Sequence, residues 1–514
     1  MDRPGGTGSR FRSPRRIMPT ENLLRGGIVS LLGSATAALG ALVLTAVVGQ
    51  FLGPTGTGLF FQAVGIFTVL TQVLRLGTNS GMVRFMAAER AHGRPGSQWL
   101  ITCYALVPVA ACSLVVATAL AFFSQELAHW LGSPAEYQRL ASLLLAMAPF
   151  VVVAAISGVL QITARMVRGV PMFTLLSSIL PALSRLLSVI AALLVVGTIN
   201  AAVVAWLAPL PLVLVLTVAV IVPPLLRDRY TRSTTPPPSA RQFWRFSLPR
   251  ALGSAFETGL DWADILIVAA LASPAQAGIY AVCSRAVKAG QVVDRAMRVA
   301  VSPTLAALLS QGRTDEASAL HSRVVKAMVA LTWPFYLVLA CNGAAVLTIF
   351  GPEFAVGWPV LTVLAVTAMV QTAAGMLQSI LLQGGRSSWQ MMNKGIALTV
   401  CIIANLVLVP VLGVLGAGLA WALVIAIDTF LAARQVHHGM RVHLAPGRLL
   451  GVAAAATVVF GVGGTALRVL VGSSLLGTVS GLVVLGLIYL GLLWWLRAHL
   501  GVEYLWARLR LKRG

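Results

Sequence analysis

Charge is what this sequence has least of: 10% of its 514 residues are charged, and only 15 are acidic. A soluble domain keeps itself in water with charges over roughly a quarter of its surface. The shortage excludes a soluble globular protein. Cysteine is also scarce. Cys103, Cys112, Cys283, Cys341 and Cys401 all sit inside apolar stretches with no CxxC spacing. A disulfide framework or a cysteine metal centre is therefore not expected, and small buried hydrophobes are. There is no GxxxxGK[ST] loop, no HExxH and no GxSxG, so no ATP-binding or hydrolytic machinery is written in. His437, His438 and His443 lack the spacing and the cysteine partners of a zinc site. The reading is of a protein that is not an enzyme and holds no metal or organic cofactor.

What is present is hydrocarbon: 58% hydrophobic residues and a mean hydropathy of +0.87. Apolar runs long enough to cross about 30 Å of lipid recur along the chain. The expected fold is an all-α polytopic membrane protein. Fourteen spanning helices are predicted, near 27–51, 56–79, 98–123, 139–161, 173–197, 200–225, 250–272, 276–311, 327–349, 358–383, 390–412, 415–436, 447–471 and 474–496. An even number places both termini on one side. Arginine chooses which: Arg84, Arg90, Arg165, Arg227, Arg245, Arg313, Arg386 and Arg434 all fall in loops on that side. The opposite turns GPTGTG (53–58), SPAQAG (273–278) and GPEFAVG (351–357) contain no Lys or Arg. Both ends are thus expected in the cytoplasm. The net charge of +23 follows the same loop pattern, which sets aside nucleic acid as a partner. Residues 1–26 read as a basic cytoplasmic segment and 497–514 as a basic tail lying on anionic lipid. The Pro-rich 226–249 reads as a stiff linker.

An internal repeat organises the rest. Pro54-Thr-Gly-Thr-Gly58-Leu-Phe60 matches Pro274-Ala-Gln-Ala-Gly278-Ile-Tyr280, 220 positions later, and the same offset pairs Arg75 with Arg295. Weaker echoes link Gly132-Ser-Pro-Ala-Glu136 to Gly351-Pro-Glu-Phe354, and Gly197-Thr-Ile-Asn-Ala-Ala202 to Gly413-Val-Leu-Gly-Ala-Gly418. Parallel repeats of this kind imply two pseudo-symmetric six-helix lobes, 27–225 and 250–436, with a cavity between them. Residues 437–496 then form an added pair of helices.

Cations inside the membrane carry the functional signal. In the eighth segment Arg285, Lys288, Arg295 and Arg298 fall within a sector of about 140° at 100° per residue. Each costs at least ~2.5–3.5 kcal/mol in hydrocarbon, so they are expected to line a wet, anion-holding cavity. Arg285 lies about 14 Å in from the turn, near the bilayer centre. Arg295 and Arg298 are close enough to the inner surface to snorkel. Arg185 is the single charge of the fifth segment, and Arg75 joins the set through the repeat. Of the acids, Glu257, Asp261 and Asp264 share one helix face, while Asp294 and Asp428 stand alone. Two readings stay open for these five: they neutralise the cations, or they bind a coupling ion, H⁺ or Na⁺.

FLGPTGTGLF, ASPAQAGIYAV, IFGPEFAVGWPVLTVLAV and NLVLVPVLGVLGAGLAWAL, in that order, resemble the Wzx-like polysaccharide flippases. That family belongs to the multidrug/oligosaccharidyl-lipid/polysaccharide exporter (MOP) superfamily. The resemblance implies a MATE-like fold in a bacterial plasma membrane. It also implies outward transfer of an undecaprenyl-diphosphate-linked oligosaccharide, with membrane lipids and a polysaccharide polymerase or other assembly protein as partners. Relatives that flip lipid II hold the diphosphate with arginines of helices 1, 2 and 8. Here helix 1, SLLGSATAALGALVLTAVVGQ, has no charge, which counts against lipid II. It counts equally against cation-coupled drug antiporters, many of which keep an acid in helix 1.

Overall fold

Prolines and small polar caps mark where each apolar run becomes a helix. Pro54 and Pro274 each open one, at the position where a missing N–H costs nothing. Ser273 Oγ accepts Gln276 N at 3.2 Å, and Thr198 Oγ1 accepts Ala201 N at 3.3 Å. Ser239 and Gln242 form a reciprocal capping box. The computed structural model describes residues 20–94, 96–229, 238–440, 449–471 and 475–495. Residues 1–19, His443 and the tail 497–514 fall outside these.

The described residues are helical, with no strand among them. We label α1 Thr20–Leu74, α2 Thr78–Ala91, α3 Ser97–Phe122, α4 Tyr137–Arg168, α5 Val170–Val195 and α6 Ile199–Arg227. There follow α7 Ala240–Leu271, α8 Pro274–Ser310, α9 Thr314–Cys341, α10 Trp358–Ala374, α11 Ser387–Leu412, α12 Val414–Arg434, α13 Leu450–Leu470 and α14 Leu475–Trp495. Among the described residues ten stretches are long and apolar enough to cross a membrane. The chain is an all-helical, multi-pass membrane protein.

Ten is fewer than the fourteen expected, for two physical reasons and because the last expected segment counts only over Ser480–Trp495, short of a full span. The first two expected segments run together as α1, broken only at Gly53, whose φ of 62° and ψ of −173° no helix contains. The eighth expected segment carries the intramembrane cations that dilute its apolarity, as acids and arginines do in α7. Other departures are local. Leu76 (φ 50°) and Gly77 (φ 70°) end α1 before 79, and α2 begins as a separate helix that hydropathy does not reveal. The expected tenth segment breaks at Gly375 (φ 75°), where Val325 and His321 occupy the space of a β-carbon. At the expected linker, helix persists to Arg229 and resumes at Ala240.

The most extensive helix pairing joins the halves of the chain, α1 with α8. It is made possible by the repeat's own glycines. A β-carbon on Gly58 would strike the carbonyl of Pro274, and one on Gly278 would strike the carbonyl of Pro54. The two contacts are the same contact exchanged, as a pseudo-twofold axis requires. Gln50 Nε2 adds a donor to the Ile349 carbonyl at 2.8 Å on this side. Opposite, at the arginine-rich end, Gly77 just before α2 and Gly81 within it lie against Ser247 of α7.

Candidate functional site

A cavity of about 300 Å³ lies between both arms of α1, α5 and α6, closed on one side by α7 and α8. Two guanidiniums enter it from opposite halves of the chain. Arg185, from α5, stacks 4.0 Å from the ring centre of Trp206. Arg285, from α8, lies 4.8 Å from Trp262 and 5.2 Å from Phe61. Aromatic faces hold a cation at such distances while leaving its N–H groups directed elsewhere. Neither arginine has a carboxylate within ion-pair distance among the described residues, and Arg185 Nε is buried with no partner. Ser177 and Ser178 add hydroxyls to the wall. Such a site is poised for an anion, since five fixed N–H donors per guanidinium otherwise go unmet.

A second, much smaller cavity in the other half is lined by the same positions. Gly40, Ala41, Leu44, Phe60, Val64 and Thr68 line the first; Leu260, Asp261, Asp264, Tyr280, Ser284 and Lys288 line the second, each 220 positions later. A tryptophan closes each, Trp206 from α6 and Trp421 from α12. The charge is inverted. Where the first presents arginine, the second presents Asp264, whose carboxylate accepts Tyr280 Oη at 2.8 Å, Asn405 Nδ2 at 2.8 Å and Cys401 Sγ at 3.2 Å. Three neutral donors thus satisfy an acid with no cation in direct contact.

The other residues singled out from sequence are dispersed. Lys288 Nζ pairs with Asp261 Oδ1 at 3.2 Å, so it borders the second cavity and not the first. Arg75 is half-buried within the first half against Gly158 of α4, its Nε buried and unpartnered. Arg295 is exposed, and Arg298 lines a separate polar cavity of about 290 Å³ with Gln371, Gln378 and Lys394. The helix-8 cations therefore do not act as one surface, because a 140° sector is wide enough to face three neighbours. Glu257 is exposed; Asp294 is buried, with Thr372 Oγ1 3.5 Å from Oδ2 and nothing on Oδ1. Asp428 is held by Lys394 at 3.1 Å and Gln378 at 3.0 Å.

The fold and the sequence can be set beside known proteins at this point. Residues 23–309, more than half of the chain, match the family described as "Polysaccharide biosynthesis protein". The chain belongs to that family. This is the family of the Wzx-like flippases that the four motifs resemble. The "Probable low-salt glycan biosynthesis flippase Agl15" of Haloferax volcanii is 23% identical over 200 residues, 37% of this chain and 40% of that relative's length. Among solved structures, "Lipid II flippase MurJ, inward closed conformation" superposes with a TM-score of 0.71 at 12% identity, over 92% of this chain and 99% of that one. An inward-facing MATE multidrug transporter gives 0.62 at 14%, over 81% and 98%. At these identities the likeness is one of fold. Against this family frame, sequence reading missed the aromatic platforms Phe61, Trp206 and Trp262, and the donors Tyr280, Cys401 and Asn405. The 220-residue offset, extended from Pro54 and Pro274 to Leu44 and Asp264, would have revealed the paired cavities.

Proposed function

We propose that this family member carries a polyprenyl-diphosphate-linked oligosaccharide, a repeat unit of an exopolysaccharide, O-antigen or capsule, from the inner to the outer leaflet of a bacterial plasma membrane. The observation that carries the reading is the pair Arg185 and Arg285, sharing one cavity with neither of them in an ion pair among the described residues. A diphosphate matches two guanidinium forks, each binding two oxygens side by side. A volume of about 300 Å³ equals about ten waters, enough for a diphosphate of nine heavy atoms and not for an oligosaccharide. The sugars occupy the space that opens between the halves, and the lipid tail stays in the bilayer.

In this reading fourteen helices cross the membrane with both termini in the cytoplasm. Lobes 27–225 and 250–436 rock against each other, and 437–496 forms the added pair. The reciprocal Gly58 and Gly278 contacts support the lobes, and the arginine-rich end supports the orientation. Asp264, beside Asp261 and Lys288, is the acid best placed to exchange a coupling H⁺ or Na⁺. Drug antiporters share the fold, but a cavity with two bare guanidiniums repels cationic amphiphiles. The test is deletion of the gene in a host with no second flippase, with lipid-linked oligosaccharide measured on each leaflet. Accumulation on the inner leaflet is expected; unchanged outer-leaflet levels overturn the proposal.

A further inference from the structure

At the arginine-rich end a second pair of guanidiniums sits far from the cavity. The second arm of α1 runs 21 residues from Pro54 to Leu74, about 31 Å, and α2 begins beyond it. On α2, Arg84 lies 4.2 Å from the ring centre of Phe246 on α7. On α7 itself, Arg250 lies 3.8 Å from the same ring centre. One phenyl ring therefore holds two cations, which are no farther apart than those two distances together. No carboxylate or other acceptor meets either side chain among the described residues, and both are exposed. The frame beneath them is rigid: Phe85 meets Phe243 at 5.9 Å and Phe246 at 5.8 Å, and Ser247 fills the space beside Gly77 and Gly81. Leu248 and Leu252, two residues to either side of Arg250 and so on the far face of α7, are exposed apolar residues, which puts this helix in contact with lipid.

Two like charges held this close raise each other's energy unless an anion bridges them. The bridging group must reach guanidinium forks from two helices at once, and it must live where apolar side chains face lipid. A phosphate ester at the bilayer surface has that chemistry: several acceptor oxygens on one centre, with acyl chains behind it.

We propose that Arg84 and Arg250 form a binding site for a phosphate-ester lipid headgroup of net negative charge, distinct from the cavity of Arg185 and Arg285. Its occupant joins α2, from the first half of the chain, to α7, from the second, and so holds the arginine-rich end closed. The site does not depend on what the cavity carries, and its test needs no transported substrate.

The full-length protein, purified in detergent, is equilibrated with equal amounts of phosphatidylglycerol and phosphatidylcholine and weighed intact by native mass spectrometry. Wild type is expected to retain phosphatidylglycerol in preference to phosphatidylcholine. Arg84→Gln and Arg250→Gln each lower that retention about tenfold, whereas Arg313→Gln, which removes an exposed arginine already paired with Glu316, leaves it unchanged. Arg84→Lys and Arg250→Lys keep the charge without the fork, and intermediate retention is expected from either should a glutamine variant not fold. Millimolar inorganic phosphate that displaces the lipid shows the phosphate group to be the recognised part; failure to displace it assigns the affinity to phosphate and acyl chains together. Equal retention by wild type and the Arg84 and Arg250 variants, or equal retention of the two lipids, overturns the proposal.

Discussion

A buried arginine is tolerated in this protein where an aromatic ring replaces part of its hydration. Arg185 and Arg285 each rest on tryptophan, an attraction of roughly 0.5–2 kcal/mol that offsets only part of the cost of leaving water. The remainder is left for a ligand. Replacing either by alanine should weaken substrate binding about 10- to 100-fold, the effect of ~1.5–3 kcal/mol for a lost charge-assisted contact. Transport assays in the deletion host, normalised to protein in the membrane, read this directly; wild-type flux in both variants would remove these residues from the mechanism. Lys288→Gln should cost much less flux than Arg285→Ala, because Asp261 already engages the ammonium. Asp264 poses the opposite problem. Its carboxylate satisfies Tyr280, Asn405 and Cys401 together, so Asp264→Ala strands three buried donors and should destabilise the protein by ~2–5 kcal/mol. Asp264→Asn keeps one acceptor oxygen and should fall between, as thermal unfolding in detergent would show.

Helix ends decide how the elements meet. Glycine at 58 and 278 lets two backbones touch, and the exchanged geometry makes the two positions equivalent. Gly58→Ala and Gly278→Ala should therefore act alike, forcing α1 from α8 at the turn end and favouring the state open there. A cysteine introduced at Ala41, on the cavity wall, reports this in protein whose Cys103, Cys112 and Cys341 are serine. Labelling by an impermeant maleimide added outside intact cells should rise in both variants, and a rise in only one would break the equivalence. These elements were largely legible in the sequence, since apolar runs and the turn prolines place most long helices to within several residues, although polar first turns hid the starts of α7 at Ala240 and α9 at Thr314. What hydropathy does not carry is backbone reversal of sign. The break at Gly53, the end of α1 at Leu76 and Gly77, and the interruption at Gly375 are set by φ, not by apolar periodicity. The amphipathic α2 was hidden for another reason: its arginines read as a loop. The site was only partly legible, because a charge stripe on one helix says nothing of which neighbour each side chain meets. Lys288 and Arg285 are three residues apart and enter different cavities.

The whole molecule sets one polarity against the other through its repeat: the same register that lines a cationic cavity in the first half lines an acidic one in the second. Such a division lets anion and cation sites evolve apart on one inherited frame, and it gives the transport cycle an electrical signature. A diphosphate diester carries charge of about −2, so moving it outward is favoured by an inside-negative potential of 100 mV by ~4.6 kcal/mol, at ~2.3 kcal/mol per charge. The arginines cannot cancel this over a full cycle, because they remain with the protein and return to their starting positions. A counter-ion exchanged at the acidic cavity would alter the sum: one cation moving inward adds a charge in the same sense. Proteoliposomes holding a potassium gradient, with valinomycin to set the potential, separate these cases. With no counter-ion, the outward-to-inward ratio of lipid-linked oligosaccharide at steady state should change with voltage by the factor for two charges. With one inward cation it should follow three, and Asp264→Asn, if it folds, should return it to two. A ratio independent of voltage would show that the cargo crosses with its charge neutralised by co-transported cations carrying two positive charges in all.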